Sequence, residues 1–294
     1  MSGQAAREKN AEVVLRPGRP EDAAACGKIC YEAFKTISEQ HGFSPDIPSV
    51  DMAVGLMTMM LANPHVYSVI AESGGRILGS NFMLEDNVAG IGPITVDPAA
   101  QNTAIGKRLM IDAINRARTK GFPGIRLVQA AFHTRSLALY AKLGFVVRET
   151  LANMQGAPLD EKIPGYDVRP ATAEDVEACR TLCFHVHGHS RPLDFEAGMR
   201  HGTAAAVVRN GRITGYTSGV GFFGHSVGET NDDLKALIAA APSFAGPGFL
   251  LPMRNAELFR WCLEKKLRVV QPMTLMTVGL YNEPAGAFLP SILY

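Results

Sequence analysis

The strongest constraint on how this chain can fold is that it repeats itself. "LRPGRPEDAAACGKIC" (residues 15–30) returns as "VRPATAEDVEACRTLC" (residues 168–183), with Arg-Pro, Glu-Asp and both cysteines at a constant offset. Further along, "ESGGRILGS" (residues 72–80) is echoed by "VRNGRITGY" (residues 208–216). Two matches in the same order predict a duplicated unit whose second copy starts near Gly165. A length of 294 residues leaves room for two ordinary domains.

Each copy opens with a short strand ending in Arg-Pro, then a helix with Glu-Asp in its first turn, where negative charge suits the helix dipole. Cys26/Cys30 and Cys179/Cys183 lie four apart on one helical face, a spacing that suits small apolar groups packed into a core. "DMAVGLMTMMLANP" predicts an amphipathic helix stopped at Asn63-Pro64. "YSVIAESGGRILGSNFM" and "VVRNGRITGYTSG" predict hairpins, the second around an Asn210-Gly211 type I′ turn. "VAGIGPITV" reads as a strand, "AIGKRLMIDAINRARTKG" as a helix closed by Gly121, and "GIRLVQAAF" as a strand. "RSLALYAKLG" reads as a helix closed by Gly144, followed by the strand "FVVRETL". The expected class is α+β, with a mixed but mostly antiparallel sheet and helices on both faces. The expected division is a flexible tail over 1–12, a first domain over 13–153, a linker over 154–165 and a second domain over 166–294.

Composition narrows the partners. The formal charge is +1 with scattered basic residues, which argues against nucleic acid or an anionic membrane surface. No stretch is long and apolar enough for a membrane span, and the polar start lacks the apolar core of a signal peptide. Five cysteines without a CxxC pair suit reduced thiols, so a cytoplasmic location is expected.

The chemistry is expected at "VDPAAQNTAIGKRLM" (residues 96–110), where a polar turn of small residues runs into a helix. Helix starts expose unpaired N–H groups and partial positive charge, so they bind phosphate. Ala104 and Gly106 keep the backbone approachable, Gln101, Asn102 and Thr103 add polar groups, and Lys107 adds charge. No GxGxxG stands at this turn, and no GxxxxGK[ST] occurs, which sets aside the common P-loop motif. "HTRSLALYAKLGF" (residues 133–145) follows.

Together these two stretches resemble the acyl-CoA-binding motifs of the GNAT N-acetyltransferase superfamily. Its Gln/Arg-x-x-Gly-x-Gly/Ala motif falls on Gln101, Ala104 and Gly106, with Ala104 in place of the first glycine. Its second motif is matched by Tyr140, Lys142, Gly144 and Phe145, with His133 in place of Asn and Ser136 in place of Ala. The resemblance spans about residues 13–152. It implies two tandem GNAT-like domains and transfer of the acetyl group of acetyl-CoA to a primary amine of a small-molecule acceptor, by direct attack in a ternary complex. It implies cofactor contacts at Ile94, Thr95 and Val96, at Gln101, Asn102, Thr103, Ala104, Ile105, Gly106 and Lys107, and at His133, Ser136 and Tyr140. Tyr140 would be the general acid and Glu85 the base, with Asp86, His133 and His41 as further candidates. The loop "KTISEQHGFSPDIPS" offers His41, Phe43 and Asp46 to the acceptor.

The second copy reads as a worn version. Asp232 and Asp233 stand where phosphate would approach, and Trp261 and Cys262 stand near the tyrosine position. "HVHGHS" would put His185, His187 and His189 on one face of an extended chain, but without a carboxylate or Cys pair beside them no metal is expected. In some tandem members of the superfamily the final carboxylate reaches the first domain's site, a role open to Tyr294. A homodimer is compatible with the sequence, and the competing reading is a non-catalytic acyl-CoA sensor.

Overall fold

A computed structural model describes residues 12–294. The tail expected at 1–12 lies, apart from Glu12, outside the described residues. The described residues divide into two compact units, one formed by residues 12–85 with Ala89–Phe122, the other by Asp86–Val88 with Pro123–Tyr294. Among the described residues no helix is long and apolar enough to cross a membrane.

The first unit runs β1 (Val14–Pro17), α1 (Ala23–Gln40), α2 (Val50–Ala62), β2 (Val66–Ser73), β3 (Arg76–Glu85), β4 (Ala89–Val96) and α3 (Ile105–Thr119). The four strands pair antiparallel in chain order. Val69 and Ala71 of β2 pack on Ile105 and Leu109 of α3. Ile70, buried between them in sequence, points to the opposite face by strand alternation. Ser49 starts α2 by accepting the Met52 N–H at 3.2 Å, and the helix ends before Asn63-Pro64 as its sequence dictates.

The second unit continues with β5 (Gly124–Ala130), α4 (Thr134–Lys142), β6 (Val146–Gln155), β7 (Asp167–Pro170), α5 (Val176–His187), α6 (Pro192–His201), β8 (Ala205–Arg209) and β9 (Arg212–Thr217). It ends with β10 (Ser226–Gly228), α7 (Asn231–Ala240), β11 (Phe249–Pro252), α8 (Ala256–Glu264), β12 (Arg268–Gly279) and β13 (Ala287–Leu289). The hairpin β8–β9 turns at Asn210 and Gly211, both with positive φ (52° and 73°), as a type I′ turn requires. One ladder in this unit has the order β5-β12-β6-β11, the other β13-β10-β9-β8-β7.

Two features depart from the sequence expectation. The boundary drawn after residue 153 falls inside β6, whose Met154 is fully buried and pairs with Phe249 of β11. Gly248 permits that pairing, because a Cβ there would stand 2.2 Å from the Met154 carbonyl oxygen. The strands β5 and β6 do not pair with each other: β12 lies between them, antiparallel to both. The fifth strand of the first half thus pairs with the penultimate strand of the second, and the sixth pairs with β11. The other departure concerns the recurring Glu-Asp. It forms a separate turn of 3₁₀ helix ahead of α1 and of α5, and its Asp pairs with the preceding Arg. Arg16 reaches Asp22 at 2.7 and 2.8 Å, and Arg169 reaches Asp175 at the same two distances. The guanidiniums hold both carboxyls below the usual carboxylate range.

Candidate active site

The expected phosphate turn stands in the first unit. Between Asn81 and Met83 of β3 the register breaks, and β4 places Gly92 and Pro93 opposite Phe82 alone. This bulge sets off a short ladder in which Ile94, Thr95 and Val96 face Asn81, Ser80 and Gly79. Thr95 is buried, its hydroxyl 3.3 Å from that of Ser80. Asp97 then accepts the Ala99 N–H at 2.9 Å and holds Arg76 at 2.5 Å. The Thr103 hydroxyl donates to the Ala100 carbonyl at 2.5 Å, and the Gln101 amide donates to the Val96 carbonyl at 3.4 Å.

The start of α3 is unusual. Asn102 and Ala104 both adopt left-handed backbone, at φ 66° and 62°. Ala104 is the N-cap and supplies no side-chain acceptor, and no acidic residue stands in the first turn. The first bond of the helical ladder runs from the Arg108 N–H to the Ala104 carbonyl, so the amides of Ile105, Gly106 and Lys107 precede it. Asn102, Thr103, Ala104 and Lys107 are exposed, and Gly106 is half-buried. The turn therefore offers amides and positive dipole outward with small side chains at the rim, which is the donor set a diphosphate needs.

The matching helix of the second half is closed. Thr230 caps α7, and the Asp233 carboxylate accepts the Thr230 N–H at 2.9 Å and its hydroxyl at 2.8 Å. Asp233 also accepts the Thr214 hydroxyl at 2.5 Å. The chain's own carboxylate thus occupies this helix start.

Tyr140 lies in α4 of the second unit and is buried. Burial pushes its phenol up to about 12, against a smaller opposing effect of a bond to the Ser136 side chain. The ring meets Phe145 edge-on at 6.2 Å. Ser136 Oγ is also 2.8 Å from His133 Nδ1, which joins His133, Ser136 and Tyr140 in one local set. Cys262 is the seventh residue of α8 as Tyr140 is of α4, and burial raises its thiol to about 12.

The carboxylate candidates separate. Glu85 is gripped by Arg116, with Nε at 2.7 Å from one oxygen and a second nitrogen 3.3 Å from the other. Asp86 is buried, accepts the Asn87 N–H through Oδ1 at 2.7 Å, and leaves Oδ2 without a partner. Burial raises its pKa, against the pull of Arg191. His41 ends α1, its Nδ1 2.9 Å from the Ile37 carbonyl, and Phe43 and Asp46 are half-buried in the loop before α2. The three histidines of "HVHGHS" do not share an extended face. The segment is the last turn of α5, closed by Gly188 at φ 72°, which exposes His185 and buries His187 and His189. All five cysteines are buried free thiols.

Residues 32–145 match the acetyltransferase (GNAT) family. Over 91 residues it is 30% identical to an IAA acetyltransferase of Azospirillum brasilense, a match covering 30% of this chain and 60% of that relative. Two solved structures extend the likeness of fold to nearly the whole chain. A candidate acetyltransferase from Pyrococcus horikoshii superposes with a TM-score of 0.72 at 16% identity, covering 94% of each chain. A GCN5-related N-acetyltransferase from Sphaerobacter thermophilus superposes with a TM-score of 0.60 at 14% identity, covering 92% of this chain and 96% of its own.

Proposed function

We propose that this chain is an N-acetyltransferase that passes the acetyl group of acetyl-CoA to a primary amine of a small acceptor, in a ternary complex. The second half is then a GNAT-like domain that has given up its own cofactor site. The observation that carries this reading is the contrast between two helix starts: α3 begins bare and left-handed at Ala104, while α7 is filled by Asp233. The amides of residues 105–107, with Lys107 beside them, would hold the diphosphate, and the Ile94–Val96 backbone would run along the pantetheine arm.

The amine attacks the thioester carbonyl as the C–S bond breaks, so one proton must leave nitrogen and the thiolate must be met by a donor. A typical alkylamine, with a pKa near about 10.4, is almost wholly protonated at neutral pH and must lose a proton first. Of the two carboxylates the sequence offered, Asp86 suits this better than Glu85. Glu85 spends its lone pairs on Arg116, whereas Asp86 has a free buried oxygen and a raised pKa. The Tyr140 phenol, held up to about 12, stays protonated at neutral pH. Full transfer from it to a thiolate of pKa near 8.5 is uphill by about 5 kcal/mol. Its role is therefore a hydrogen bond to the departing sulfur.

Thiol release from acetyl-CoA against an amine panel tests the reading. Tyr140→Phe should lower kcat at least ten-fold with CoA binding kept, and Asp86→Asn should slow turnover more than Glu85→Gln. Unchanged turnover in Tyr140→Phe removes the phenol from the mechanism. Acetyl-CoA binding without turnover on any amine would leave the sensor reading instead.

A further inference from the structure

The second unit holds a buried polar cluster that acetyl transfer does not use. Arg126 sits in the middle of β5, opposite Thr277 of β12, and is 0% exposed. Among the described residues none of its three guanidinium nitrogens has a hydrogen-bond partner. The guanidinium lies over the Tyr294 ring, 4.4 Å from carbon to centroid. Arg191 stands 4.8 Å from the same ring, but Asp194 answers its charge at 2.5 Å. The remaining influences on Arg126 come from the phenols of Tyr294 and Tyr281 and from Arg191, and no carboxylate is among them.

Around the same ring runs a chain of neutral donors. The Tyr294 hydroxyl is 2.9 Å from His187 Nδ1, and His187 Nε2 is 3.1 Å from His225 Nε2. The His225 ring stacks on Tyr294 at 5.0 Å and 7°, and its Nδ1 is buried without a partner. Burial and the two guanidiniums hold His187 and His225 well below the usual histidine range. Two neutral imidazoles in series admit a consistent orientation: Tyr294 donates to His187, His187 Nε2 donates to His225, and His225 keeps its proton on Nδ1. That N–H then joins the Arg126 nitrogens as buried donors that lack an acceptor.

Cys183, His187 and His225 also place three ligand atoms within 4.8 Å of one another, a geometry open to a metal ion. The electrostatics oppose it. The guanidiniums that add to burial in keeping these imidazoles neutral would also repel a divalent cation. What Arg126 lacks is an anionic acceptor for its own N–H groups. A dianionic phosphate would overshoot in a buried site, whereas a carboxylate matches both the single charge and the planar fork of arginine. Tyr281 lies 5.5 Å from the same guanidinium and Phe288 stands 5.8 Å from the Tyr294 ring, so the surroundings of the guanidinium are aromatic.

We propose that Arg126, with His225 and Tyr294 beside it, binds the carboxylate of a small organic acid in a buried site of the second unit. Calorimetry and thermal melting of the full chain, without acetyl-CoA, test this with sodium benzoate, its neutral isostere benzamide, and inorganic phosphate. Benzoate should bind saturably and raise the melting temperature, while benzamide and phosphate should not. Arg126→Lys should weaken benzoate at least ten-fold and Arg126→Met should abolish its binding. The benzoate–benzamide contrast in the unmodified protein decides the matter if the Met variant does not fold. Absence of saturable benzoate binding, or equal binding by Arg126→Met, overturns the proposal. So does stoichiometric zinc in tag-free protein that disappears in Cys183→Ser. Because acetyl-CoA is left out, the result stands apart from the fate of the acetyl-transfer reading.

Discussion

Ala104 bears a strain that glycine would not. An L-residue in the left-handed region costs about 1–2 kcal/mol, and Ala104 sits there at φ 62°. Replacing it with glycine relieves that strain at an entropic cost of about 0.5–1 kcal/mol, so Ala104→Gly should leave stability unchanged or raise it by up to about 1 kcal/mol in denaturant unfolding. Ala104→Asp would imitate the second half by placing a carboxylate at the helix start. It should weaken CoA binding about ten-fold or more, in line with up to ~2 kcal/mol of helix-dipole and phosphate repulsion. Undiminished CoA binding by the Asp variant would count against the cradle. At this scale the sequence is uneven to read. Its small-residue turn and its closed counterpart are visible because capping is a local matter of neighbouring residue types. Arg126 is not, since a charged residue within "GIRLVQA" looks the same whether its strand edge meets water or, as here, a packed core.

Among the elements, the end of α5 carries the pH dependence. His187 and His189 bracket Gly188, and His225 joins them from the residue before β10. All three are held neutral by burial with Arg126 and Arg191 nearby, His189 down to about 3 and the others well below the usual value. Their pKa is lower folded than unfolded, so the unfolded chain takes up more protons below about pH 6.5. The stability they hold is complete above that pH and is lost as pH falls, by on the order of 4 kcal/mol per pH unit for the three together. Melting temperature should therefore drop steeply between pH 6.5 and 5 (about the range where free histidine titrates), and His189→Asn should flatten the drop. A melting temperature constant over that range would show that these imidazoles charge without penalty. The helices and hairpins of this chain were readable because their signals are adjacent: Asn210-Gly211, Gly121, Gly144, Asn63-Pro64. The Arg-Pro and Glu-Asp recurrence was readable as a repeat but not as an ion pair, because the pairing depends on a strand and a turn meeting at a fixed angle.

At the scale of the chain, the recurrence of sequence is legible and the strand pairing is not. Thr274 of β12 pairs with Gln129 of β5 and with Thr150 of β6, partners far apart in sequence that no periodicity announces. Each of these strands alternates and pairs well, so the sequence alone does not say which neighbour it takes. That pairing predicts that residues 13–153 expressed alone will leave the facing edges of β5 and β6 bare, and edges of that kind recruit other chains. That fragment should be insoluble, and co-expression of residues 154–294 should restore a soluble complex. A soluble, monomeric fragment with acetyltransferase activity would refute the dependence.

The position of β12 also bears on ancestry. A later half that has surrendered its own chemistry would ordinarily be free to erode and vanish from the gene. Here it contributes the plank on which the last two strands of the first half are laid, so a premature stop codon before β12 would leave both without their partner. Retention of the second half needs no catalytic duty of its own to explain it.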